Sequence, residues 1–243
     1  MRRFFTTLAV LLAGMTAASA QQIDLGGIAQ ANGTTVAYII QMFGLLSVLS
    51  VAPGLLIMVT SFTRFVIAFS ILRAGMGLQS TPANMILISL SLFMTFYVMS
   101  PTFDQAWTGG VRPLMNNQIG QTEALEKISD PFRTFMLRNV RDKDFDLFAD
   151  LARERGQQVA RDTVDLRILV PAFMISEIRR GFEIGFLIVL PFLVIDLIVA
   201  TITMAMGMMM LPPTVVSLPF KILFFVLIDG WNLLVGSLVR SFT

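Results

Sequence analysis

The sequence contains neither cysteine nor histidine. Their absence excludes disulfides, thiolate nucleophiles, haem ligation and most zinc sites, and it removes the side chain that usually acts as a general base near neutral pH. Glycine-rich nucleotide-binding patterns and the G-x-S-x-G pattern of hydrolases are also missing. The sequence therefore predicts a protein that is not an enzyme and that carries no cofactor and no metal.

Charged residues are scarce as well. They make up 14% of the 243 residues, whereas 55% are hydrophobic, and the mean hydropathy is +0.75. A soluble domain carries about 25% charge, so this chain is too apolar for one water-soluble core and needs lipid, partner subunits or both. The formal net charge is +2, and the bases are interspersed with acids, which argues against nucleic acid as a partner.

The first 20 residues are predicted to be a signal peptide. Two arginines precede a short apolar stretch, and an A-x-A pattern ends at Ala20, directly before Gln21. The alternative is a first transmembrane helix, which needs about 20 apolar residues, and the stretch over 7–15 is shorter than that. Cleavage between Ala20 and Gln21 would place the mature N-terminus outside the cytoplasmic membrane.

The charges that are present cluster in the middle of the chain. Residues 104–180 contain 12 of the 18 Lys/Arg and 12 of the 16 Asp/Glu. We therefore divide the mature chain into an N-terminal lead with a first apolar helix pair (21–103), a charged helical segment outside the membrane (104–180) and a second apolar helix pair (181–243). The predicted fold is all-α, with two helical hairpins in or derived from a membrane flanking the charged segment.

Prolines are predicted to interrupt the apolar helices. In the first pair, a span over residues 36–59 is expected to kink or break at Pro53, and a helix that starts near residue 84 is expected to end at Pro101. In the second pair, helices over 182–211 and 214–239 contain or adjoin further prolines. Each apolar region is thus predicted to consist of several shorter helical pieces.

The central segment is also predicted to be helical. A new helix is expected to start with Pro131 in its first turn, and Asp142 is a candidate N-cap for another. The second of these has an apolar stripe at helical spacing that comprises Phe145, Phe148, Leu151 and Ala152. The stripe is expected to pack in a core, either within this chain or against neighbouring subunits.

Six isolated charges stand within or beside the apolar regions: Glu183, Asp196, Lys221, Asp229, Arg64 and Arg73. An ionisable group in an apolar segment is costly unless it is paired or hydrated. We favour pairing within or between subunits, which would fix the register of an oligomer, over a proton relay, because no histidine is present. The positive-inside rule places the connection that carries Arg64 and Arg73 in the cytoplasm; pairing of both with acids of partner subunits is the equal alternative.

Several ordered sequence blocks add information beyond composition. The first part of the chain contains SFTR at 61–64, ILR at 71–73, LFMTF at 92–96, FMLR at 135–138 and RDKD at 141–144. The C-terminal third contains FEIGFLIVLPFLVID at 182–196, MGMMMLPP at 206–213, SLPFK at 217–221 and DGW at 229–231. In this order the blocks resemble the FliP family of export-gate proteins of the flagellar type III secretion apparatus.

The resemblance implies a non-enzymatic pore in the cytoplasmic membrane, within the flagellar basal body. Several copies, expected to be a homopentamer, would assemble with FliQ and FliR, and with FlhB and FlhA as further partners, into a closed helical channel for unfolded flagellar proteins. Neighbouring subunits could then cover the apolar helices in place of lipid, since hydropathy does not say what buries a helix. The alternatives are a virulence type III export-gate subunit and, from another class, a secondary transporter or ion channel.

A methionine run lies near the end of the predicted helix over 182–211. Its members Met206, Met208, Met209 and Met210 precede a double proline that must end or kink the helix. Methionine is unbranched and polarizable, so a ring of such side chains from several subunits could seal a pore and yet yield to a passing polypeptide. Given the double proline and the resemblance, we favour such a gate over methionines that fill irregular gaps in a helix bundle.

Overall fold

The computed structural model describes residues 33–161, 163–207 and 212–242, and the regular elements within these ranges are all helical. The α-helices are α1 (Gly33–Val59), α2 (Phe62–Gly75), α3 (Asn84–Ala106), α4 (Arg112–Met115), α5 (Gln121–Asn139), α6 (Asp142–Glu154), α7 (Leu166–Ala205), α8 (Pro213–Leu227) and α9 (Gly230–Arg240). A π-helical turn, Trp107–Val111, joins α3 to α4. The all-α prediction is confirmed for these residues; the predicted cleavage site at Ala20 and Gln21 lies outside them.

The chain divides into two compact units, residues 1–52 and 53–243. Of the first unit, the structure describes the greater part of α1, which carries no charge and exposes apolar side chains such as Ile40 and Phe43. The second unit contains the end of α1 and all later helices. The helix contacts described below all lie within this second unit.

The core of the second unit lies between α2 and α7. α2 contributes Phe65 and Phe69, which are fully buried. α7 contributes Gly181 and Gly185, whose spacing lets two helix backbones approach closely. A Cβ atom at Gly185 would lie 2.9 Å from the Cβ of Ile71, so the contact leaves no room for a larger side chain. The two helices are therefore as close as glycine allows.

The segment that was predicted to be a short connection between the first two apolar stretches is a buried helix. It corresponds to α2, and Arg64 in its first turn is 0% exposed. Two arginines without a nearby acid in the sequence had suggested a hydrated connection. Arg64 is buried instead, because its counter-ion, Glu177, is supplied by a distant part of this chain. The actual connection between α2 and α3 is the loop over residues 76–83.

A kink or a break was predicted at Pro53 and a helix end at Pro101, and the helices continue through both prolines. Helical backbone runs through Pro53 in α1 and through Pro101 in α3, and α5 contains Pro131 rather than beginning there. The interior prolines of α7 and α8 are Pro171, Pro191 and Pro219. Helices in apolar surroundings tolerate proline because neighbouring groups satisfy the freed carbonyl and no water competes for the other hydrogen bonds. The helical backbone is interrupted instead at Gly207 and Asp229, where φ is positive.

The charged central segment packs onto the N-terminal half of α7. α5, α6 and that half of α7 enclose a second apolar core whose buried members include Met136, Phe145, Ala149, Leu169 and Phe173. In the predicted stripe of α6, Phe145 and Ala152 are buried, whereas Leu151 is 43% exposed. For the buried members of the stripe, the packing partner is this same chain.

Two helical stretches in the described part of the chain are long and apolar enough to cross a membrane, Asn84–Met115 and Leu166–Ala205. α8 and α9 pass the same test as a pair, but they bend by 64° at their junction. Asp229, with a φ of 52°, lies at this bend. The predicted boundary between residues 180 and 181 falls inside α7, whose 40 residues run from the charged segment into the apolar region.

Replacing Gly185 with alanine is expected to destabilise the protein. The new Cβ would overlap Ile71 and force α2 and α7 apart, at a cost of about 1–3 kcal/mol. The matched control is Gly236→Ala on α9, where a Cβ meets nothing within 4 Å and where alanine gains about 0.5–1 kcal/mol of helix propensity. Thermal unfolding in detergent should show a lower midpoint for the first variant and an unchanged or higher midpoint for the second. Equal unfolding midpoints for the two variants would contradict the close packing of α7 against α2 at Gly185.

Candidate functional site

A buried lysine joins three helices. Lys221 on α8 is 3% exposed, and its Nζ donates a hydrogen bond of 3.1 Å to the backbone carbonyl of Gly75 at the end of α2. The same Nζ lies 2.5 Å from Oδ2 of Asp196 on α7. The other carboxylate oxygen, Oδ1, accepts a hydrogen bond of 2.5 Å from the hydroxyl of Ser217 on α8. We call Gly75, Asp196, Ser217 and Lys221 the lysine cluster.

The C-terminal end of α2 supplies the carbonyl that Lys221 binds. Gly77 follows the helix with a φ of 79°, which glycine adopts without strain, and it turns the chain away from the helix axis. The backbone N–H groups after the helix bond to other carbonyls of its last turns, which leaves the carbonyl of Gly75 for the ammonium. A cation here also interacts favourably with the partial negative charge at a helix C-terminus.

A second buried charge pair lies at the first turn of α2. Arg64 and Glu177 on α7 are both 0% exposed; Arg64 Nε donates to Glu177 Oε2 at 2.9 Å, and Nη2 contacts the other carboxylate oxygen. Arg64 Nη1 donates to the carbonyl and the hydroxyl oxygens of Ser241, at 2.9 and 2.7 Å. The guanidinium carbon lies 3.6 Å from the ring centroid of Phe242. This arginine cluster connects α2, α7 and the residues that follow α9.

The other predicted charges have exposed surface. Glu183 is 55% exposed and faces Arg141 across 3.4 Å. Asp229 is exposed at the bend between α8 and α9. Arg73, in the last turn of α2, contacts the side chain of Asn84 and so connects α2 to the start of α3. The structure thus separates the six predicted charges into two buried bases, Asp196 beside one of them, and three side chains that lie nearer the surface.

The methionine segment follows α7 directly. The helix ends at Ala205, Met206 is 59% exposed, and Gly207 has a φ of 75°. The predicted helix over 182–211 therefore ends earlier than the double proline requires, because the left-handed glycine already terminates it. Three predicted gate residues lie outside the described residues: Met208, Met209 and Met210. The described chain resumes at 212, and α8 begins at Pro213.

Both clusters hold helices in position. In each of them the base already has a carboxylate partner, and that carboxylate accepts its hydrogen bonds from donors of this chain. Among the residues with a described position, no group of three His, Cys, Asp or Glu side chains could bind a metal ion. The arrangement therefore stabilises charge inside an apolar fold.

Sequence reasoning missed Glu177, although a signal for it was present. The count of charges in the central segment hid it among twelve acids. It lies, however, one i, i+4 step before Gly181 and two before Gly185, on the line of α7 that packs against α2. The same line continues back to Phe173, which is fully buried. An acid on the buried line of a helix predicts a buried base opposite it, and Arg64 is that base.

Replacing Glu177 with glutamine is expected to be strongly destabilising. The variant leaves the Arg64 cation buried without an anion, which costs about 3–5 kcal/mol. Glu183→Gln on the same helix is the matched control, and its half-exposed pair should contribute about 0–1 kcal/mol. Denaturant unfolding in detergent should separate the two variants, and the double variant Arg64→Leu/Glu177→Leu should recover part of the loss. Similar stabilities for Glu177→Gln and Glu183→Gln would show that the buried pair contributes no more to the free energy of unfolding than the half-exposed pair.

Comparison with known proteins agrees with the ordered sequence blocks. A profile described as the FliP family matches residues 45–238. The flagellar biosynthetic protein FliP of Agrobacterium fabrum is 73% identical over 245 residues and that of Rhizobium meliloti is 68% identical over 244 residues, with all of both chains covered in each case. The protein of the same name from Bacillus subtilis is 49% identical over 203 residues, which cover 84% of this chain and 91% of the relative. The chain therefore belongs to the FliP family.

Proposed function

We propose that this chain is a core, pore-forming subunit of the flagellar type III protein export gate, and that it conducts unfolded flagellar proteins across the cytoplasmic membrane. Membership of the FliP family supports the flagellar role. The observation that carries the pore is the amount of apolar surface that a single chain leaves uncovered. On α7, large apolar side chains are exposed from Phe182 to Ile202. Such a surface requires lipid or further subunits.

Exposed apolar side chains also occur on helices other than α7. On α3, Phe93 and Tyr97 are 71% and 69% exposed, and on α8, Val226 and Leu227 are 68% and 74% exposed. A closed ring of subunits would cover faces on both sides of each chain, and lipid would cover the rest. We propose a homopentamer that is completed by FliQ and FliR, with FlhB and FlhA as further components, in the flagellar basal body. The two long apolar stretches support multi-pass insertion in the cytoplasmic membrane.

The proposed gate is a constriction made by the methionine segment. It comprises Met206, Met208, Met209 and Met210 of each copy. Met206 supports this role because it is 59% exposed directly after α7, where side chains of several copies could meet. Flexible thioether side chains would close the pore to ions at rest and repack around a passing polypeptide. The protein thus acts as a conduit and not as an enzyme.

We propose that the isolated charges serve assembly in two ways. Arg64, Lys221 and Asp196 pair within the chain, and they would give each subunit one fixed shape before it meets its neighbours. The more exposed charges Glu183, Asp229 and Arg73 would contact neighbouring subunits and set their register. Both roles predict that loss of a charge weakens assembly before it affects any transport step.

The oligomeric state tests the proposed assembly. Purified in mild detergent, the protein is expected to give a single homo-oligomer whose native mass corresponds to a homopentamer, because its apolar faces need neighbours. Co-expression with FliQ and FliR should add both subunits to the same particle. The control is the particle without these partners, measured in the same detergent. A chain that stays monomeric, binds neither partner and transports a small solute would refute the export gate.

Removal of the methionines tests the gate. The variant with Met206, Met208, Met209 and Met210 all replaced by alanine is expected to leak ions, because alanine is too short to close the constriction. Planar-bilayer conductance of the assembled complex measures the leak. Met115→Ala, which removes a methionine that is 68% exposed on α4, is the control and should remain sealed. Equal conductance of both variants would count against a methionine gate.

A further inference from the structure

α7 and α8 continue beyond the end of α2. α2 ends at Gly75, which lies against Val189 so closely that a Cβ there would be 2.3 Å from a methyl group of Val189. The remaining residues of α7, 190–205, extend about 24 Å further at 1.5 Å per residue. Phe192 of α7 packs in this part against Phe224 and Phe225 of α8, with ring centroids 6.1 Å apart in both pairs. These apolar contacts are not directional, so they do not by themselves fix how far α8 is shifted along α7.

The lysine cluster supplies the directional contacts. Ser217 and Lys221 lie one helical turn apart on α8, and each donates to a different oxygen of the Asp196 carboxylate. Lys221 also donates to the carbonyl of Gly75. A shift of α8 by one residue, about 1.5 Å along its axis, would break these hydrogen bonds. Because unmade hydrogen bonds of buried charged groups are costly, the cluster allows one register.

We propose that Lys221 is a positioning residue that sets the register of α8 against α2 and α7, and thereby the position of Pro213, where α8 begins after the methionine segment. Ser217 lies four residues after Pro213, the first residue of α8, about 6 Å away. A change of register at the cluster therefore moves the start of α8 by the same amount. The importance of this position for a gate rests on the proposed function, whereas the register itself does not.

Spin-label distances test the proposal, and the absence of native cysteine makes single-site labelling clean. One label pair is Phe93→Cys with Val215→Cys, which spans α3 and the first turn of α8; both side chains are exposed. The control pair is Phe93→Cys with Phe186→Cys, which reports α7 before the cluster. Labelled chains are diluted with unlabelled ones, so that each measured distance lies within one chain.

Lys221→Met is expected to shift or broaden the distances to Val215→Cys by about 5 Å, one helical turn, and to leave the control pair unchanged. Lys221→Arg, which keeps the cation, should restore the narrow distribution. Ser217→Ala removes one of the two donors and should give a smaller effect; it decides the question if Lys221→Met does not fold. Unchanged distances to Val215→Cys, or equal changes in both label pairs, would overturn the proposal. Native mass of the same samples reports separately whether the assembly of the proposed function forms.

Discussion

The burial of Arg64 constrains the packing of the whole second unit. A guanidinium in an apolar core is tolerated where an anion and further acceptors surround it. Glu177 supplies the anion from 113 positions away, and Ser241 supplies acceptors from 177 positions away. Because all three must meet at one point, α7 and the end of the chain have one position each relative to α2. Apolar contacts alone would not specify this arrangement, because they have no fixed donor and acceptor positions. The lysine cluster constrains α7 and α8 in the same way, further along α7.

Two features could be predicted because both depend on local composition: the all-helical fold, and the need of isolated charges in apolar segments for a partner of opposite charge. Asp196 and Lys221 were expected to be paired, and the structure pairs them with each other. The rule that proline ends or breaks a helix gave wrong predictions: Pro101 and Pro191 lie inside α3 and α7. Proline is tolerated inside apolar helices where neighbouring helices, Ser/Thr side chains or a local adjustment of the helix satisfy the freed carbonyl, and such tertiary contacts are not visible in the local sequence. The left-handed conformation at Asp229, which does break a helix, had a local signal in the Asp229-Gly230 turn dipeptide, which the proline pattern overshadowed.

The partners of buried charges were harder to predict, because a pair such as Arg64 and Glu177 is set by tertiary packing. Glu177 belongs to a segment whose average charge indicates solvent, yet its own position on the buried line of α7 places it in the core. Segment averages therefore identify what surrounds a helix, and the i, i+4 line identifies which of its residues are buried. The apolar helices, by contrast, could be recognised from the sequence, but the sequence does not show whether lipid or a neighbouring subunit covers them, since both are apolar.

The two kinds of surface suggest an order of events. The charges of both clusters are satisfied within one chain, so a subunit can complete its polar contacts before it meets another copy. The faces that a single chain leaves uncovered contain large apolar side chains, such as Phe93 on α3 and Leu187 on α7. Lipid can cover these faces first, and neighbouring subunits can replace the lipid later without desolvating a buried ion pair. Assembly of the proposed oligomer from the membrane would then be favoured by close packing of apolar faces, while the shape that those faces present would already have been determined by Arg64 and Lys221.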